Sequence, residues 1–310
     1  MANINQIACV QGGANTGYGD CFLNFGTIAG AFLVPKGFQI TPAQAADLQQ
    51  TLQDAAFAAT ASERIYPIHN LEQITSNSED KTVQTLGYGG KAVVREGDYD
   101  WTFQFIQGGF CLLKALRKFN GAGKYVLFYD SNGVLFGQKI GDNIAGIPLQ
   151  FFWANPWAPN DGSNATIYAV QFVFKPKYAN DELGSLKADF DLAQIQGLQN
   201  VVLKVLSGAA PAPVVGATTG CDGTNLYDMF ASELAVVGNW KATNGATGAD
   251  LTITSVAEDA NASGWTVTVD AADPDYPVDG SIILQLADPQ TLAAAGVTGF
   301  ESLKLTIPVA

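Results

Sequence analysis

Ser207–Gly223 reads SGAAPAPVVGATTGCDG, and it divides the chain into two stretches of very different charge. Residues 1–206 carry 14 Lys/Arg against 17 Asp/Glu, whereas residues 207–310 carry 2 against 12. Most of the net −13 therefore falls on the last third of the chain. A run of Pro, Ala and Gly offers few groups that pack, so it reads as a linker, semi-extended at APAP and loose elsewhere. The predicted organisation is a larger domain over 1–206, a linker over 207–223, and a small acidic β-module over 224–310. At 310 residues the chain is long enough for two such cores.

Hydrophobic residues make up 47% and charged residues only 15%, a rich ratio that points to apolar surface covered by partners. The acidic balance argues against a nucleic-acid groove, which needs clustered Lys and Arg to neutralise phosphates. The densest basic group is Lys114, Arg117 and Lys118, which suits the C-terminal end of a solvated helix. No cleavable leader is visible, and Phe22–Val34 is too short and too broken by Gly to span a bilayer. Cys9, Cys21, Cys111 and Cys221 lack paired CxxC spacing, so they are expected to be reduced, small buried residues.

Outward from the linker the pattern is mainly β. Thr41-Pro42 opens a helix, with Thr41 as cap, Pro42 at the first position and Gln44 completing a capping box. Ala45, Leu48, Leu52, Ala55 and Ala59 follow at helical spacing, so the helix is expected to run to about Ala61. Asn70–Lys81 (NLEQITSNSEDK) has little to bury and reads as a long exposed loop or hairpin tip. Beyond it Thr82–Leu86, Lys91–Arg95 and Asp100–Ile106 alternate like antiparallel strands, and Phe110–Phe119 reads as a short helix. Lys124–Tyr129 and Val134–Ile140 flank DSNG, a strong hairpin signal. Phe190–Leu206 suits a helix or a strand equally. In the tail, Leu234–Lys241, Leu251–Ala257, Trp265–Asp270, Ser281–Leu286 and Ser302–Val309 are spaced like the strands of a sandwich around Trp240 and Trp265.

Groups that carry chemistry are scarce. His69 is the only histidine, and with unspaced cysteines it leaves a zinc site almost without ligands. There is no GxSxG, no P-loop and no HExxH, and GYGG at 87–90 lacks the helix and Lys-Ser/Thr of a phosphate loop. No cofactor is expected. Asp270, Asp273, Asp275 and Asp279 lie within DAADPDYPVDG and offer several hard oxygen donors to Ca²⁺, against the plainer account of a solvated inter-strand loop. Trp153 and Trp157, beside Phe151 and Phe152, either stack on sugars or belong to a core or subunit interface.

A Gly-rich arm (Met1–Lys36), one helix (Thr41–Ala61), a long polar loop (Asn70–Lys81) and antiparallel strands with an inserted helix together resemble the tail tube proteins of tailed phages and the tube proteins of contractile injection systems. The resemblance implies an antiparallel β-sandwich or barrel with one or two helices, plus a small C-terminal Ig-like β-sandwich. It also implies a non-enzymatic virion protein that forms stacked rings with copies of itself and other virion proteins, assembled in the host cytoplasm. DNA would be passing cargo only, and no membrane would be involved. Bridging between subunits would fall to Asn70, Leu71, Glu72, Gln73, Ile74, Glu79, Asp80 and Lys81. The alternatives are another virion component (capsid, collar or fibre protein) or a surface-exposed glycan-binding or adhesion protein using the Trp residues.

Overall fold

The computed structural model describes residues 26–95, 97–106, 108–163, 165–174 and 183–309. The protein is mainly β and antiparallel, with few helices. It forms two compact units, one taking in the chain up to Ala56 and Thr60–Gln196, the other Phe57–Ala59 and the chain from Gly197 onward.

The first unit contains strands β1 (Ile28–Val34), β2 (Gln39–Ile40), β3 (Tyr66–Ile68), β4 (Gln73–Ser76), β5 (Thr82–Thr85), β6 (Lys91–Arg95), β7 (Tyr99–Phe105), β8 (Tyr125–Asp130), β9 (Val134–Ile140), β10 (Asn143–Ala145), β11 (Ile147–Ala154), β12 (Tyr168–Phe174) and β13 (Leu183–Lys187). Among the described residues its helices are α1 (Pro42–Ala45), α2 (Leu48–Ala56) and α3 (Gly109–Arg117). The large sheet runs β2-β10-β9-β8-β11-β12-β7-β4, with β1 also on β8 and β13 also on β9. One edge of β8 is filled by β1, while its other edge is shared by β9 near its end and β11 near its start. From there β11 passes to β12 through a register shift between Leu149 and Phe151. A bulge bends a strand and adds twist, so the sheet curls into a half-barrel.

The curl encloses an aromatic core. Phe103, Phe128 and Phe172 are fully buried, with ring centroids 5.3–5.7 Å apart. Strict alternation feeds it: Tyr168, Val170, Phe172 and Phe174 point inward from β12, as Phe103 and Phe105 do from β7. The DSNG hairpin is held by Asp130, a buried side chain whose Oδ1 accepts from the amides of Asn132 (2.9 Å) and Val134 (2.8 Å), with Gly133 at φ 74°. The Thr41 capping box forms with both reciprocal bonds. The single helix expected over Thr41–Ala61 is broken at Ala46–Asp47 into α1 and α2 and ends at Ala56.

The second unit contains β14 (Gln199–Ser207), β15 (Val214–Thr219), β16 (Trp240–Asn244), β17 (Asp250–Leu251), β18 (Ile253–Asp259), β19 (Gly264–Val269), β20 (Gly280–Leu286), β21 (Phe300–Ser302) and β22 (Leu305–Val309). Two sheets, β18-β19-β15-β14-β21 and β17-β16-β20-β22, close on one core that includes Val201, Val215, Trp240, Trp265, Ile282 and Ile307. This is a β-sandwich. All pairings within it are antiparallel except that of β14 with β21.

Several expectations need correction. Ser207–Gly223 is no linker: β14 and β15 pair as a hairpin, and Val215 and Ala217 are fully buried. The boundary lies at Gln196/Gly197, and the ambiguous Phe190–Leu206 resolves into a short 3-10 turn (Leu192–Gln194) followed by β14. Leu234–Lys241 is mostly two 3-10 turns, with strand only from Trp240. Of the supposed arm, Met1–Asn24 and Phe25 lie outside the described residues, while Ile28–Val34 is the core strand β1. Cys111 and Cys221 each belong to a disulfide, and among the described residues no cysteine is free. Sequence spacing does not report pairs that the fold brings together, so the expectation of reduced thiols is overturned.

Candidate assembly surface

The residues singled out as bridging divide between a sheet edge, a projecting hairpin and the core. Leu71 is buried in the first unit's aromatic core, and its amide donates to the Ala29 carbonyl, so it is unavailable to a partner. Asn70, in the left-handed region at φ 57°, lines a cavity beside Tyr129 and Asp191. Gln73 and Ile74 lie on β4, where the sequence pattern suggests an exposed loop or hairpin tip. β4 pairs with β7 in the register Gln73↔Gln104 to Ser76↔Trp101, and every residue of β4 is exposed.

β4 ends the sheet. The amides of Asn77 and Glu79 continue the ladder to the carbonyls of Asp100 and Asp98 at 2.8 and 3.0 Å. By the two-residue period, the N–H and C=O groups of Ile74 and Ser76 point away from β7, and among the described residues no strand covers them. Such a row is a template for adding another strand. Ile74, 42% exposed, places an apolar side chain on this edge.

Beyond Glu79, Asp80 and Lys81, both of them exposed, the chain enters β5 and β6, which form a two-stranded sheet of their own. Their register sets Val83 opposite Val93, and Tyr88 at the tip is 84% exposed. Val83, Val93 and Val94 are exposed as well. At the base, Arg95 reaches Glu79 at 2.5 Å and Asp98 at 3.5 Å. A Cβ at Gly97 would strike the Glu79 carbonyl, so glycine permits the close crossing there. Isolated hairpins are marginal in water, and this one presents valines without an inner face to bury them.

The other candidates resolve differently. His69 Nε2 lies 2.7 Å from the Ile195 carbonyl and Nδ1 lies 2.6 Å from the Tyr129 hydroxyl. A carbonyl only accepts, so Nε2 carries the proton and Nδ1 accepts from Tyr129. Burial lowers the His69 pKa, partly offset by the Ile195 carbonyl and Asp191, and burial together with Asp191 raises that of Tyr129. Both ring nitrogens are engaged, so His69 has no lone pair to offer a substrate and ties three segments together. In the acidic loop, Asp273 accepts from the amides of Thr252 (2.9 Å) and Asp275 (3.0 Å), and Asp270 accepts from Ala272 (2.9 Å). These bonds lower the Asp273 pKa. Among the described residues no group of three or more His, Cys, Asp or Glu is placed to hold a metal, so Asp270, Asp273, Asp275 and Asp279 are not brought together as a ligand set. Trp157 packs edge-on against Phe110 at 5.1 Å, whereas Trp153 stands on the outer face of β11. Among the described residues no helix is long and apolar enough to cross a membrane.

No protein-family model matches this chain, and no curated protein matches it.

Proposed function

We propose that this chain is a non-enzymatic structural subunit of a virion, a ring-forming tail tube component that assembles with copies of itself and other virion proteins into a conduit for DNA. The observation that carries the reading is the edge of β4, uncovered among the described residues and continued by a hairpin whose valines no described residue buries. A second copy supplies what both lack: a strand for the edge and an apolar surface for the hairpin. The first unit's sparse Lys and Arg suit a wall along which a polyanion slides without being held. The acidic second unit suits the outside of the assembly, where salt screens its charge. Disulfides at Cys111 and Cys221 suit a particle that persists in oxidising surroundings.

Size-exclusion chromatography with light scattering, followed by negative-stain imaging at high protein concentration, tests the proposal. Rings or short tubes are expected. A persistent monomer would refute it.

A further inference from the structure

The outer face of the first unit's sheet has a composition that assembly through an edge does not explain. Antiparallel partners lie on the same face, so the registers assemble rows across four strands. Trp153 of β11 faces Gln171 of β12, which faces Thr102 of β7, which faces Thr75 of β4. Beside this row lies another made of Ala169, Gln104 and Gln73. The inner face of the same strands is largely aromatic, whereas these two outer rows are amides, hydroxyls, one methyl and one indole; the next outer row, Phe151, Val173 and Asp100, is apolar and ends on a carboxylate.

Three properties select the ligand. The indole of Trp153 is 46% exposed on a strand whose next residue inward, Phe152, is fully buried, so it is presented and not merely frayed. The polar groups are held in place: Gln171 Nε2 donates to Asp100 Oδ2 at 2.7 Å, and Asn77 Nδ2 donates to Thr102 Oγ1 at 3.0 Å. Groups already ordered lose less entropy when a ligand arrives. Finally, these rows contain no Lys, Arg or His, so an anionic ligand finds no counter-charge there. An apolar protein partner would have to desolvate Gln and Thr side chains without pairing them.

We infer that this face binds a neutral oligosaccharide, laid across the row Trp153, Gln171, Thr102 and Thr75. The apolar face of a pyranose ring packs on the indole, and its hydroxyls both donate to and accept from the amides and hydroxyls that follow. Three inter-strand steps of about 4.8 Å give the row a span of about 14 Å, room for more than one sugar ring. Strand addition at β4 uses the edge of the sheet and leaves its face open, so this site is independent of the assembly proposed above.

The test uses the full chain against immobilised cellohexaose, maltohexaose, mannohexaose and chitohexaose, with heparin and hyaluronan oligosaccharides as charged controls. Saturable binding to at least one neutral hexaose is expected, weakened at least tenfold in Trp153→Ala, the equivalent of about 1.4 kcal/mol. Gln171→Leu is expected to weaken it as well, whereas Trp157→Ala leaves it unchanged. Thermal unfolding of each variant checks that the fold is retained, and Gln171→Leu serves if Trp153→Ala fails to fold. Binding to none of the neutral probes, binding only to the charged ones, or binding indifferent to Trp153 and Gln171 would overturn the inference.

Discussion

Tyr129→Phe removes a single oxygen from the first unit, and its effect follows from the tautomer of His69. Tyr129 is 2% exposed, and its hydroxyl is the donor to His69 Nδ1 at 2.6 Å. Stripping a buried acceptor of its donor costs about 1–3 kcal/mol. A second effect follows from pH. Burial holds the native His69 pKa below the ordinary 6.5, so below that pH the unfolded chain takes up a proton before the native state does. Stability is therefore full above pH 6.5 and declines as the pH falls from there toward the native pKa, with a limiting slope of about 1.4 kcal/mol per pH unit. His69→Gln, which does not titrate, is expected to lose stability at neutral pH yet show a flatter profile in this range. Urea unfolding followed by near-UV circular dichroism, from about pH 7.5 to about pH 5, measures both effects. A wild-type profile no steeper than that of His69→Gln would refute the lowered His69 pKa, and a Tyr129→Phe variant as stable as the wild type would refute the contribution of its hydrogen bond to Nδ1.

Other outcomes follow from the same structure. Val93→Lys with Val94→Lys on the exposed hairpin is expected to abolish rings while leaving the melting temperature within about 4 °C of wild type, since each surface substitution changes stability by no more than about 0.5 kcal/mol; sizing and calorimetry check this. Trp265→Ala, at a fully buried position whose Nε1 donates to the Ala231 carbonyl at 2.8 Å, should cost the second unit about 3–5 kcal/mol by denaturant titration. A chain ending at Gly223 strands the β14–β15 hairpin without its sandwich and is expected to aggregate, whereas one ending at Gln196 stays soluble on size exclusion. Asp222, Asp273 and Asp288 all have lowered pKa values, so the second unit keeps their contribution above pH 3.8 and loses it only as the pH falls further. On acid titration the His69-dependent loss in the first unit should therefore come first.

What the sequence makes legible is what local chemistry decides. The Thr41 capping box and the DSNG turn involve residues within four positions of each other, and both form. The linker was misread for the opposite reason. VVGATT sits among Ala, Pro and Gly, and its burial depends on β19, about fifty residues away, which pairs with Val214 and Val215. Charge counting shows where acidic residues fall but carries no information about strand partners. β4 was hidden because an edge strand exposed on both faces lacks the alternation that marks a half-buried one. The row from Trp153 to Thr75 exists only through three registers, so the sequence could single out Trp153 but not its neighbours. Leu71, within a polar run, shows that one apolar residue among hydrophilic ones can still be core.

The parallel pairing of β14 with β21 joins Gln199–Val201 to Phe300–Ser302, and Leu303 donates to the Val201 carbonyl at 2.8 Å. During translation, the strand that opens the acidic unit therefore waits for about a hundred further residues before this edge is closed. Thr60–Gln196, with the β4–β7 ladder, leave the ribosome before that strand does. The half-barrel strands are thus made while residues 207–310, with 2 Lys/Arg against 12 Asp/Glu, are still to come, and the acidic unit folds later than the first.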